Sequence, residues 1–312
     1  MGSDAKIVLD SVTPAGARLT TFQITLPRIV LAEFNTHKMV SKNSASSRAI
    51  PVKKRVAQVR AEPFVPSAFA RNTRGMQPAA APLEGDDHDR ALWIWLSAIE
   101  SMIDHASHLA DVEVHKQIAN RLIEFCSYWT IVATATEWSN MFALRDHPHA
   151  QDEIRDPMHL AKELYEKSEP VFVPSGEWHL PYVTGYSIGS PADGRPFDAS
   201  AQPGPGWTQA ELVQMSAGRC AAVSYLNQEN QLDPHGDVAR CAERLVPNGH
   251  MSPLEHPAQS LTRTQWQAMA RAMANEWIER RVPVGNLWGW RQFRKTIEGE
   301  HDFSIVAARG AT

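Results

Sequence analysis

The sequence has three cysteines among its 312 residues, Cys126, Cys220 and Cys241, and no Cys-x-x-Cys pair. So few scattered thiols, odd in number, exclude a disulfide framework and fit a reducing cytoplasm. No apolar run approaches the ~18–20 residues of a membrane span, and the N-terminus has no signal-peptide core, so a soluble protein is expected. Excess basic charge is also lacking: the formal net charge is −4, which argues against general nucleic-acid binding but leaves room for a local anion pocket. There is no Gly-x-Gly-x-x-Gly fingerprint of a dinucleotide fold. What remains is a soluble globular composition, 43% hydrophobic and 21% charged, long enough for one large domain or two smaller ones.

The stretch that organises the chain is Thr36-His-Lys-Met-Val-Ser-Lys-Asn-Ser-Ala-Ser-Ser-Arg48. It crowds His37, Lys38, Lys42 and Arg48 among Ser41, Asn43, Ser44, Ser46 and Ser47. Cations interleaved with small hydroxyls and amides suit a phosphate, because they combine charge with directed donors. A solvated polar loop is the plainer reading of the same composition.

Residues 6–9 and 18–31 read as strands, with Pro27 as an interruption. Residues 63–87 are rich in Pro, Ala and Gly and read as a long loop. From His88 the period becomes helical: Leu92, Trp95, Leu96, Ile99, Ile103, Ala106 and Leu109 share one face, while His105 and His108 are read as surface residues. A second helix is expected over residues 114–142, a third over 149–167 and a fourth over 208–225. If residues 149–156 are helical, Gln151 and Arg155 lie on one face and can offer an amide and a guanidinium to the same ligand. Residues 170–206 are loop-like and hold Gly185-Tyr-Ser187-Ile-Gly189, a Gly-x-Ser-x-Gly match to a hydrolase nucleophile elbow; the Pro-rich residues after it break the helix an elbow requires. Near the C-terminus, His250, Glu255 and His256 are wrongly spaced for ligands on one helical face, so no metal is expected.

Three segments together resemble the flavin-dependent thymidylate synthases. Thr36-His37-Lys38, seven residues, then Ser46, with Ser41, Asn43 and Arg48 in register, resembles their Arg-His-Arg signature. Asn140-Met-Phe-Ala-Leu-Arg145 and His149-Ala-Gln-Asp-Glu-Ile-Arg155 resemble their second signature. Arg219-Cys-Ala-Ala-Val-Ser-Tyr225 and Gly249-His-Met-Ser-Pro-Leu-Glu-His256 resemble segments that precede the first signature in typical members, yet here they follow it by about two hundred residues. The order implies a circularly permuted or otherwise rearranged member that keeps the same pieces in space.

The resemblance implies an α+β fold with a central antiparallel or mixed sheet and long helices. Residues 1–170 would carry the nucleotide and flavin signatures, 171–206 a connection, and 207–312 the remainder of one catalytic fold. It implies FAD as cofactor, NADPH and methylenetetrahydrofolate as co-substrates, dUMP methylated to dTMP, and a homotetramer with sites between subunits. By the same resemblance Ser46 and Arg48 hold the nucleotide phosphate, Gln151 and Arg155 meet the pyrimidine, and Arg155 is catalytic. His37, Lys38, Ser41, Asn43, Asn140, Arg145 and His149 contact the cofactor, and His250, Ser252 and His256 form a pocket wall. Thr36 and Lys38 stand where the family has arginines, and neither supplies a guanidinium's fork. Arg291, Arg294 or Lys295 are candidates to compensate, and Arg121 for a further family arginine whose place falls at Cys126. These departures keep three alternatives open: another pyrimidine nucleotide such as dCMP, hydroxymethyl transfer, and a non-catalytic nucleotide binder.

Overall fold

Arg18–Pro27 alternates Thr, Phe, Ile and Leu and becomes β2, the centre of a five-stranded sheet ordered β3-β4-β2-β1-β5. The computed structural model describes residues 2–74, 81–183, 206–225, 233–275 and 285–302. In it β1 is Asp4–Val12, β3 Ser41–Ser44, β4 Tyr128–Ala135 and β5 Val171–Phe172; β5 runs parallel to β1 and the other pairs are antiparallel, so the sheet is mixed. The helices are α1 (Leu31–Asn35), α2 (Val52–Ala61), α3 (Gly85–Asp111), α4 (Lys116–Ala119), α5 (Ser139–Arg145), α6 (Asp152–Lys167), α7 (Gln209–Ala222), α8 (Pro234–Ala239) and α9 (Arg263–Asn275). A smaller antiparallel sheet joins β6 (Trp178–His179), β7 (Ala258–Ser260) and β8 (Trp290–Gln292) in that order. The fold is α+β.

Two expectations are corrected. Residues 28–35 turn helical, as a 3₁₀ turn Arg28–Val30 followed by α1, because Pro27 ends the ladder and its fixed φ suits a helix start. The single helix expected over 114–142 is instead α4, a 3₁₀ turn Asn120–Ile123, β4 and α5. Tyr128-Trp-Thr-Ile-Val-Ala-Thr-Ala is aromatic and β-branched, and β4 is covered on both faces, so it shows a continuous apolar run rather than alternation. Ser187 and most of residues 171–206 fall outside the described residues.

The two faces of the sheet differ in chemistry. One carries Phe22, Ile24, Leu26, Trp129, Ile131 and Ala133 against Met141 and Phe142 of α5 and Ile154, Met158 and Ala161 of α6. The other carries threonines and is covered by the C-terminal third. Thr21 and Thr134 share a hydrogen bond of 2.7 Å, Thr21 meets His179 Nε2 at 2.8 Å, and Thr134 meets His256 Nδ1 at 2.8 Å. His179 Nδ1 continues the chain to Ser11 Oγ at 2.8 Å. α7 begins with a Thr208–Glu211 capping box and crosses α8 so closely that a Cβ on Gly218 would lie 2.1 Å from the Asp237 carbonyl oxygen. α2, α3 and the Asn120–Ile123 turn build a second core from Val52, Val56, Ile99, Ile103 and Ile123.

His179 and His256 are fully buried, and burial pushes both imidazoles down to about 3. Their native pKa lies below the unfolded value near 6.5, so the unfolded chain takes up protons first and stability falls as pH drops below that value. Between pH 6.5 and 5, before carboxylates protonate, each histidine should remove about 1 kcal/mol per pH unit. Urea midpoints across this range should fall, and a folded His256→Asn variant should show a flatter slope. An unchanged wild-type midpoint would contradict the neutral pair.

Candidate active site

β3 is where the distant segments meet. Its register sets Ser41 opposite Thr134 and Ser44 opposite Ile131. Asn43 Nδ2 donates to the Cys220 carbonyl at 2.8 Å, the Ser46 amide to the Ser224 carbonyl at 3.2 Å, and Ser224 Oγ to the Ser44 carbonyl at 3.2 Å. The 3₁₀ turn Ser252–Glu255 also packs on β3. Gln292 Nε2 donates to Ser41 Oγ at 2.9 Å and to Asn286 Oδ1 at 2.7 Å, and Ser41 Oγ donates to Asn286 Oδ1 at 3.0 Å. The Ser41 hydroxyl and Asn43 amide are thus engaged in holding the C-terminal third.

Positive charge gathers at the Ser41 end. Arg145, closing α5, donates from Nε to His37 Nε2 at 3.0 Å and from Nη2 to Thr36 Oγ1 at 3.2 Å and the Glu33 carbonyl at 3.4 Å. Its guanidinium therefore stands beside Thr36. Lys42 Nζ donates to the His37 carbonyl at 2.6 Å. Burial, then the charge of Lys38, lowers the Lys42 ammonium to about 8. Burial, then Arg145 and Lys42, holds His37 below the usual imidazole range. Lys38 is exposed beside them. Such a group of cations on neutral acceptors is arranged for an anion. Lys42 was not among the cofactor residues the resemblance indicated; its signal in the sequence was its place among the cations and small hydroxyls of the Thr36–Arg48 stretch.

The Ser46–Arg48 end is built differently. Asn120 Nδ2 donates to the Ser47 carbonyl at 2.9 Å and the Ile50 carbonyl at 2.8 Å, and Ser47 Oγ donates to Glu124. These bonds hold the turn while Ser46 stays partly open and Arg48 exposed. Arg121 donates to Glu124 at 2.7 Å.

Other expected residues sit apart. Arg155 pairs with Asp152 at 2.8 Å and Asp156 at 3.7 Å on its own helix, and α6 lies over β1 and β2 whereas β3 lies beyond β4. Gln151, Asn140, His149, His250 and Ser252 are exposed, while His256 is buried with its Nε2 unbonded. The tail cations are engaged elsewhere: Arg294 with Glu255 and Glu300, each at 2.7 Å, Lys295 with Glu300 at 2.6 Å, and Arg291 with the Lys295 carbonyl at 2.9 Å. All three cysteines are buried; burial raises Cys126 to about 11, Cys241 to about 12 and Cys220 further still. Among the described residues no group of three or more His, Cys, Asp or Glu could hold a metal, and no helix is long and apolar enough to cross a membrane.

The family model for thymidylate synthase complementing proteins matches residues 13–172, just over half of the chain. The chain belongs to that family. The match spans β2, the Thr36–Arg48 stretch, β4 and α6. No curated protein matches the sequence. Among solved structures, the chain is similar to the UMP/dUMP methylase PolB from Streptomyces cacaoi. In the form bound with 5-Br dUMP the identity is 20% and the TM-score 0.40, covering 48% of this chain and 66% of that one. In the form bound with 5-Br UMP the identity is 17% and the TM-score 0.45, covering 53% and 89%. The chain thus spans just under two thirds of the first of these relatives.

The Arg145–His37 contact is open to a direct measurement. Removing the guanidinium in Arg145→Leu should raise the His37 pKa, leaving it below 6.5 because burial is the larger cause. Titration of the His37 ring protons by NMR reads this shift, and no rise would mean that Arg145 does not bear on the imidazole.

Proposed function

We propose that this family member is a flavin-dependent methylase acting at C5 of a pyrimidine deoxynucleotide, with dUMP as substrate and methylenetetrahydrofolate and NADPH as co-substrates. The observation that carries the reading is the convergence on β3, within the first signature, of two segments from some two hundred residues further along, around Cys220–Ser224 and Ser252–Glu255, in a chain of this family. The cations Lys38, Lys42 and Arg145, with the neutral His37 ring between them, fit the diphosphate of FAD: Arg145 stands at Thr36 and restores a guanidinium where the first signature lacks one. Asn140 and His149 would lie along the cofactor. When bound, FAD supplies the hydride relay from NADPH. Ser46 and Arg48 would hold the nucleotide phosphate, with Gln151 and Arg155 at the pyrimidine, and His250, Ser252 and His256 would wall the pocket.

Arg155 would act as a fixed cation at the base carbonyl, stabilising negative charge as C5 becomes nucleophilic. In one chain it lies on α6, which packs over β1 and β2, while β3 lies beyond β4. A homotetramer in which Arg155 of one copy faces Ser46 of another would join the two halves of the site. The buried thiols leave no cysteine ready to attack C6, so activation of the base falls to charge and not to an enzyme nucleophile.

Two experiments test this reading. Purified protein incubated with FAD should show flavin absorption near ~450 nm, and Arg155→Ala should lose turnover while keeping its flavin. Normal turnover by that variant would remove Arg155 from the chemistry. Assays with dUMP, UMP and dCMP, analysed for methyl and hydroxymethyl products, identify the substrate; flavin-free protein inactive on all three would refute the proposal. Separately, a folded variant with all three cysteines changed to alanine should retain turnover, and its loss would point to a thiolate mechanism.

A further inference from the structure

The register of β3 sends Ser46–Arg48 past Thr130, which bonds the Ala45 amide at 2.9 Å, toward Trp129. Pro27 pairs with Tyr128, so Arg28 emerges at the same end of the sheet. α2, which follows Arg48 closely, lays Arg55 on the same indole. The Arg55 and Arg28 guanidinium carbons lie 4.7 Å and 5.2 Å from the Trp129 ring centroid. Arg55 is only 3% exposed, yet its Nε and Nη2 make no hydrogen bond, nor does the buried Nε of Arg28. Glu124 is the carboxylate here, and it already receives Ser47, Arg121 at 2.7 Å and Arg28 at 3.4 Å. Three arginines thus face one acid. Burial lowers Arg55 to about 10, which still leaves it charged at neutral pH.

Stacking on an indole explains why a guanidinium can rest here. It does not satisfy the N–H groups at the guanidinium's edge, and a buried charge with unmet donors is strongly unfavourable. We propose that Arg55, with Arg28, forms an anion pocket beside Ser46–Arg48 that receives the phosphate of the nucleotide. A phosphate presents several acceptor oxygens to the fork of donors that a guanidinium offers. Arg28 is partly exposed and Arg121 exposed, so solvent reaches one side of the cluster. The assignment to a nucleotide rests on the function proposed above; the assignment to a phosphate rests on the unmet donors.

Calorimetric titration of the full chain with inorganic phosphate, dUMP and deoxyuridine tests the pocket. Wild type should bind phosphate and dUMP. Arg55→Gln should weaken both by about ten- to a hundredfold, as expected for a charge-assisted contact, and leave deoxyuridine binding unchanged. Arg55→Lys, which keeps the charge without the fork, should fall between, and Arg28→Gln should give a smaller loss. A role confined to packing would lower thermal stability without this phosphate-specific loss. Folded Arg55→Gln that binds dUMP as wild type does would overturn the pocket while leaving the nucleotide reading intact. Should Arg55→Gln not fold, wild-type affinity for phosphate and dUMP in both Arg55→Lys and Arg28→Gln overturns it instead. Phosphate binding that depends on Arg55, with no pyrimidine nucleotide bound, upholds the pocket and overturns the nucleotide assignment. Wild type binding neither phosphate nor dUMP overturns both.

Discussion

The hydrogen bonds around Thr134 connect the two halves of this chain. A central strand buried on both faces must satisfy every polar side chain it carries. Thr134 does so by sharing one bond with Thr21 on the neighbouring strand and another with His256 from the C-terminal third. The same logic extends through Thr21 to His179 and from there to Ser11. A face of Val and Ile could have accepted any apolar cover. A face of threonines requires partners at set positions, and the C-terminal third supplies them. That docking brings Cys220, Ser224 and Ser252–Glu255 alongside β3.

The second constraint is charge. The chain is acidic overall, yet cations concentrate at both ends of β3. At the Ser41 end, Arg145 and Lys42 donate to carbonyl, hydroxyl and ring acceptors, the His37 ring and carbonyl among them, instead of carboxylates. At the Ser46 end, Arg28 and Arg55 rest on Trp129 with donors unmet. Acids elsewhere are well paired: Asp237 is held by Arg219 and Arg240, and Glu300 by Arg294 and Lys295. Pairing the tail's cations removes them from competition for a ligand. The positive potential is left where the two signatures meet, and local charge of this kind acts irrespective of the net value.

Much of this was legible in the residues. The alternation in Arg18–Pro27, the apolar stripe whose Ile99, Ile103 and Ala106 are buried, and the capped helix after Thr208 all follow from periodicity and end signals. The spacing of Thr36–Arg48 and Asn140–Arg155 was enough to indicate the family. β4 was misread as helix because burial on both faces erases the period that separates strand from helix. Arg55 escaped notice because it closes an ordinary-looking basic run, Lys53-Lys54-Arg55, and nothing local distinguishes a buried cation from a solvated one; Lys42 was legible only as one of the cations of the polar stretch.

By itself, then, the sequence determined the family, the α+β class, the helices with clear stripes and the polar stretch around which the chain is arranged. The helices depend on interactions between residues a few positions apart, which spacing encodes directly, whereas the family and the α+β class came from the resemblance of whole segments. Only the tertiary structure decided that Arg145 would stand beside Thr36, that Arg291, Arg294 and Lys295 would be bound up elsewhere, and that Arg55 would be carried onto Trp129. Each of those outcomes depends on which strand pairs with which and on which face a helix covers. The energy of a cation is set by the acceptors and the burial it meets across the fold, and residues adjacent in the chain do not specify either.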